Sequence, residues 1–527
     1  MLLAQLSSLD QHTIAPDCAI VIGAGAVGVH LAVQLARAGR QVVLFESGTR
    51  VISNFPSSTY EVVGRKHDGI TIGRSVALGG TTNLWGGQLV EFMPIDFEGR
   101  DWLPESRWPL PYSELAAYYP RTYEALGIEA QWHDDNAVWA GIRKRPPELT
   151  DGVEVFITRW LKIPNVASHF EAEIESNPNL LVVTECTAVG FEADGGRLTG
   201  VQVVDKTRGQ RIVRGSDVIL AAGTIENARL LLHAAADNSW DCPWRNNDNV
   251  GRRFQDHLGG RLAYISPRNA KAFYDVFCTI VLSGHKFAPK VRLRNDVLEQ
   301  EPLLNIQAHV TFESSIRENL VFLKQFLKAA VYSRKVGSLT DLARNVIACS
   351  RHMIPLMWKF IVEHRILIPS GSRIALTVQA EVEPLHDSRI KIDPNVRDQF
   401  GLPKVLLDWQ LSGRELPDIF EFTRRVEHAL QQAGLADLEI EPKLLARDPA
   451  FLDSLRDTNH QAGGCIMGES AADGVVDRDL RVFGTDNLYV VGASVFRTCS
   501  NANTTFTGMA FATRLADHLK DKRHGLH

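Results

Sequence analysis

The chain has 527 residues, too many for one ordinary core, so two domains or one large composite are expected. With 45% hydrophobic and 23% charged residues it reads as globular rather than disordered or fibrous, and a net charge of −5 gives no basis for nucleic-acid binding. Seven scattered cysteines without a CxxC pair argue against a disulfide framework or a zinc cluster, and no metal is expected. The stretch from Met1 to Pro16 lacks the basic start and long apolar run of a signal peptide, and no apolar run elsewhere could span a bilayer. A cytoplasmic protein is therefore expected.

In chain order, Ala19-Ile20-Val21-Ile22 reads as a short buried strand, followed by a glycine-rich turn and a helical pattern from Val27 to Ala38. Gly39 ends that helix and Val42–Phe45 reads as a second buried strand, completing a βαβ start. Periodicity weakens over Gly79–Gly87, and Trp102–Pro111 reads as an irregular connector before a helix over Tyr112–Leu126. Leu180–Val204 reads as a hairpin turning at Asp194-Gly195-Gly196. Val218–Leu220 is another buried strand, leading through Ala221-Ala222-Gly223 into a helix over Ile225–Ala235. Residues 260–454 differ in texture, with strands expected at Leu304–Phe312, Arg373–Val382 and Val405–Trp409; nucleotide-type motifs return from His460. The fold class expected is α/β, a Rossmann-like domain assembled from discontinuous segments with an α+β, sheet-based second domain threaded between them. The boundaries drawn are 14–100, 179–262 and 455–527 for the nucleotide domain, 101–178 for a connector with elements of the second domain, and 263–454 for the second domain with a helical insert near 316–368.

Gly23-Ala24-Gly25-Ala26-Val27-Gly28 is a dinucleotide fingerprint. Gly23 suits the tight turn, Gly25 the approach of a pyrophosphate, and Gly28 close packing of helix on strand. Glu46, at the end of the second strand, can accept hydrogen bonds from a ribose diol. These residues do not separate FAD from NAD. Further blocks do: the low-bulk loop Gly79–Gly87, Ala221–Glu226, Asn249–His257, His460–Gly468, Gly474–Asp477, Asn487–Ser494 and Ser500–Ala512.

The order and spacing of these blocks resemble the glucose–methanol–choline (GMC) oxidoreductase family over nearly the whole chain, and Ser388–Ile392 with Leu407–Trp409 is similar as well. The ending Gly492–Phe496 resembles a bacterial branch that includes sugar dehydrogenases and pyranose-oxidase relatives. The resemblance implies FAD, with Gly23, Gly25, Gly28 and Glu46 on its ADP half and Ala26 in the same turn. It places Gly80, Thr81, Asn83 and Trp85 near the ribityl chain and ring, and Ala188 at the adenine. Gly492 and Ala493 fall at the pyrophosphate–ribityl turn. The family's active-site pair falls on His460 and Asn503, with Asn503 and Thr504 also among the cofactor contacts. Two departures stand out: Thr504 and Arg497 occupy positions where the family usually has proline. Neither removes a reacting group. Some family members bind flavin covalently through a histidine in the glycine-rich loop; here Leu84 stands at that position, so non-covalent FAD is expected.

Hydride leaves a carbinol carbon best when its hydroxyl proton leaves too, a task suited to a neutral imidazole, which makes His460 the candidate base. Asn503 can hold the substrate oxygen as charge develops, and its position also suits a helix N-cap. His257, in the Asp256-His257 pair, looks like a base partner but reads more readily as an anchor at a domain junction, and Cys465 reads as packing. The activity implied is oxidation of a CH–OH group of a sugar, polyol or other alcohol, with oxygen, a quinone or a redox protein as electron acceptor. A flavin-dependent lyase or decarboxylase on the same fold, or a non-catalytic flavoprotein subunit, are the alternatives. The segment 316–368 is the least family-like and reads as two or three helices with nine basic residues against three acidic ones. Such a segment suits a substrate-facing lid or peripheral contact with an anionic membrane.

Overall fold

The structure, a computed structural model, describes residues 14–313 and 371–523, with isolated positions outside those ranges. A six-stranded parallel sheet forms its nucleotide-binding side, in the spatial order Leu2–Leu3, Leu180–Val183, Val42–Phe45, Ala19–Ile22, Asp217–Leu220, Leu488–Val490. Its central strands are apolar runs with every residue buried, as a sheet covered on both faces requires. Helix Ala26–Arg37 makes the first crossover and packs along helix Thr504–Arg523, so the two ends of the chain share one layer. Gly28 lets the first helix sit close against the turn before it and against Ala221: a Cβ there would lie 1.9 Å from the Gly23 carbonyl oxygen.

The second large element is a nine-stranded antiparallel sheet drawn from residues 88 to 457, built on Val153–Trp160, Leu258–Pro267, His285–Leu293, Ile306–Glu313 and Arg373–Ala380. One hydrophobic core runs through both sheets. The fold is mixed α/β, a Rossmann-like domain with a sheet-based second domain.

Most expected elements fall within a residue or two of their observed bounds. Two differ. The expected helix over Tyr112–Leu126 is two short helices, Tyr112–Ala116 and Tyr119–Ala125, because Pro120 has no N–H to continue the first and instead starts the second. Leu181–Val183 is not the first arm of a hairpin. It belongs to the parallel strand beside Val42–Phe45, and the hairpin is Cys186–Asp194 with Arg197–Asp205. The segment 316–368 lies almost entirely outside the described residues. Among the described residues no helix is long and apolar enough to cross a membrane.

Candidate active site

The C-terminal ends of the parallel strands open onto a cavity of about 820 Å³. Gly23, Gly25, Ala26 and Glu46 line it at one end, Ala188 beside them, and Gly80, Thr81 and Trp85 along its flank. Gly492, Ala493, His460, Asn503 and Thr504 complete the wall. Two residues expected in contact with the cofactor do not line this cavity. Gly28 packs behind the turn. Asn83 braces the glycine loop, donating to the Leu78 and Gly80 carbonyls and accepting from Asn165.

The donor set fits a dinucleotide. Helix Ala26–Arg37 begins at Gly25 with no side-chain cap and no acid in its first turn, so its free N–H groups and dipole are left for an anion. A Cβ at Gly25 would meet no protein atom within 4 Å, so the space beside it is that of the cavity. Glu46 is held by the N–H groups of Ala24 at 3.0 Å and Gly48 at 2.8 Å. Burial raises its carboxyl to about 7 against those amides. Its remaining lone pairs can take a ribose diol.

His460 and Asn503 sit on two strained, heavily braced segments. Asn459, immediately before His460, has a φ of +63°, and Ser500, three residues before Asn503, has +56°. Ser500 Oγ donates to Asp96 Oδ2 at 2.6 Å, while Gln307 and Gln379 both donate to the Asn501 carbonyl. Asn305 links Asp96 to Asn501. Beneath this network Arg100 meets Glu381 through two 2.7 Å bonds in the core. Asn503 Oδ1 accepts from Gln379 Nε2 at 3.5 Å, so its carboxamide is turned toward the antiparallel sheet. On the other segment, the buried Asp256 carboxylate accepts the His460 backbone N–H at 2.9 Å and bonds His67 Nε2 at 3.0 Å. Burial would raise the Asp256 carboxyl, but the His67 bond and the surrounding histidines hold it below its ordinary range.

The imidazole of His460 has its tautomer set by a chain that begins at a backbone carbonyl. The Cys499 carbonyl can only accept, so His257 Nε2, 3.0 Å away, carries the hydrogen. Burial keeps His257 neutral by lowering its pKa, which leaves its Nδ1 an acceptor. That Nδ1 lies 3.0 Å from His460 Nδ1, and Thr458 Oγ1 lies 2.8 Å from the same atom. His460 Nδ1 therefore carries the hydrogen, and its Nε2 lone pair is free on the cavity-lining ring. His257, read from the sequence as a junction anchor, is in contact with the candidate base. Adjacent Asp256 was the one visible hint; the 203-residue separation hid the rest.

Burial, reinforced by His257 and Lys290 and opposed by Asp256, brings the His460 imidazole down to about 3, against an ordinary 6.5. A lowered pKa preserves the unprotonated form as pH falls. With a neutral substrate, flavin reduction is therefore expected to show no acid limb from this group over roughly pH 5 to 9. Stopped-flow absorbance across that range checks this, and a limb near 6.5 that vanishes in His460→Ala would contradict it.

Fold and cavity together define an FAD-dependent oxidoreductase: residues 19–269 match the FAD dependent oxidoreductase family model. Residues 384–512 match the C-terminal model of the GMC oxidoreductase family. It is similar to a 6'''-hydroxyparomomycin C oxidase from Streptomyces lividus, 23% identical over 95% of this chain and 92% of that protein. It is also similar to a 2-methyl-1,2-propanediol dehydrogenase from Mycolicibacterium austroafricanum, 22% identical over 95% of this chain and 94% of that one. In fold it resembles a pyridoxine 4-oxidase from Mesorbium loti, with a TM-score of 0.57 at 17% identity, covering 97% of this chain and 99% of that chain.

Proposed function

We propose that this enzyme oxidises a CH–OH group of a sugar, polyol or other alcohol, with His460 as the base and Asn503 as the group that holds the substrate oxygen. The observation that carries this reading is the Cys499–His257–His460 chain, which leaves a lone pair on His460 Nε2. The names of both relatives given above carry a hydroxylated compound. FAD held by Gly23, Gly25, Ala26, Glu46, Ala188, Gly492 and Ala493 supplies the hydride acceptor. His460 Nε2 takes the hydroxyl proton, and the hydrogen on its Nδ1 then stays shared with His257 and Thr458. Asn503 steadies the oxygen as negative charge builds on it, a role that needs its carboxamide nitrogen toward the substrate; the Gln379 bond to Oδ1 favours that orientation. Thr504, in place of the family's proline, still opens the terminal helix. Anaerobic addition of alcohols and sugars to the holoenzyme should bleach the oxidised-flavin band. A panel of such compounds that leaves the band intact overturns the reading.

We further infer that FAD is bound without a covalent link, since Leu84, 46% exposed at the cavity, offers no nucleophile. Acid precipitation should release all the flavin into the supernatant; a yellow washed pellet would refute this.

A further inference from the structure

The antiparallel sheet turns a polar face toward the candidate active site. Residues directly opposite across paired strands share a face. Lys290 stands opposite His309 on one side and Phe156 on the other, and His309 stands opposite Thr377. Gln379, two residues along from Thr377, reaches Asn503. Trp160, four residues along from Phe156 on that face, lines the cavity beside His460.

Lys290 is out of place in this setting. It is 4% exposed, and among the described residues no carboxylate pairs with it and no side chain hydrogen-bonds it. Burial alone brings its ammonium down to about 7. The titratable groups it faces are His309 on the neighbouring strand and His460 across the site, and its charge lowers both. His309 is itself held at about 3 by burial and by Lys290, and among the described residues its buried Nδ1 has no hydrogen-bond partner. Arg292, two residues along on the same face, is already paired with Glu154 at 2.7 Å. Among the described residues nothing neutralises this buried cation, whose charge is felt at the candidate base, an arrangement that disfavours the empty site and favours a ligand that brings a negative charge.

We propose that Lys290 is an anion subsite, and that the alcohol oxidised here carries a carboxylate: a hydroxy acid of the aldonic or uronic type rather than a neutral polyol. The inference rests on the alcohol-oxidation reading and narrows it. A single lysine matches the one charge of a carboxylate, whereas a phosphate dianion would leave charge unmatched in a buried site. The deprotonated lysine cannot pair with an anion. Carboxylate binding is therefore full below about 7 and weakens as pH rises through it.

The test titrates the FAD-loaded enzyme with propionate, which it cannot oxidise as an alcohol, and with neutral propionamide, reading the flavin absorbance shift. At pH well below the lysine's titration, propionate should bind at least about tenfold more tightly than propionamide, the scale of one charge-assisted contact. The preference should disappear at high pH and in Lys290→Met, while Lys290→Arg should keep it at both. Retained FAD shows that the variants fold; if Lys290→Met loses FAD, the pH dependence of the wild-type enzyme decides. Equal binding of the two probes at low pH, or a preference that does not change with pH, overturns the subsite. Neither arm requires turnover, so failure of a panel that includes hydroxy acids as well as neutral alcohols to bleach the flavin counts against the oxidation reading alone.

Discussion

Replacing His460 by alanine is expected to slow flavin reduction by about 10²–10⁴-fold, the usual worth of a lost general base, with FAD still bound. Binding survives because His460 is one of many residues around the cavity, whose anion end is formed by the Gly23–Gly25 turn and the N-terminus of the first helix. The positioning role of His257 separates from this in a second pair of variants. His257→Leu removes the acceptor that holds the hydrogen on His460 Nδ1, and should cost on the order of 10–10²-fold, as loss of an orienting partner does. His257→Asn can still donate to the Cys499 carbonyl and accept from His460, so it should recover much of the rate. A purely structural His257 would show no such rescue. Single-turnover reduction rates with FAD content as the control decide between them; near-normal reduction in His460→Ala would remove it as the base.

The second large effect separates two glycines of one motif. A Cβ at Gly28 would lie 1.9 Å from the Gly23 backbone oxygen and 3.2 Å from the Ala221 methyl, neither of which can rotate away. Gly28→Ala should therefore destabilise the whole domain, by about 1–3 kcal/mol or more as overpacking does, and yield a flavin-free, poorly soluble protein. A Cβ at Gly25 meets nothing in the protein, so Gly25→Ala should leave the apoprotein's melting temperature unchanged while weakening FAD binding. Thermal melts of apo and FAD-loaded variants measure both. If Gly25→Ala binds FAD normally, the pyrophosphate does not approach at this turn.

The βαβ unit was legible in the sequence because its strands are unbroken apolar runs and its turn is glycine, both local signals. Of the expected cofactor contacts, Asn83 turned inward to brace its loop: a side chain's direction depends on what surrounds it, here Asn165 from 82 residues away. Leu181–Val183 was drawn into a hairpin because a short apolar run carries no mark of which partner it pairs with. The Cys499–His257–His460 chain has no periodicity at all and exists only after three distant segments meet. Lys290 was equally silent, since a lysine on a strand with polar residues around it reads as solvent-facing until the sheet's other side is filled.

The central parallel sheet has a temporal consequence. Strand Asp217–Leu220 is edged on one side by Ala19–Ile22 and on the other by Leu488–Val490, which is made long after both. At the usual 5–20 residues per second, roughly 20 to 90 seconds of synthesis separate the first of those strands from the last. For much of that time the backbone N–H and C=O groups on the outer edge of Asp217–Leu220 have no strand to pair with, and the cavity lacks the wall formed by Gly492 and Asn503. The complete cavity can capture flavin only once residue 503 has been made, and an emerging chain that stalls before residue 488 exposes a strand edge suited to pairing with another copy. Ribosome-bound chains halted before and after that point should differ sharply in aggregation and in flavin uptake.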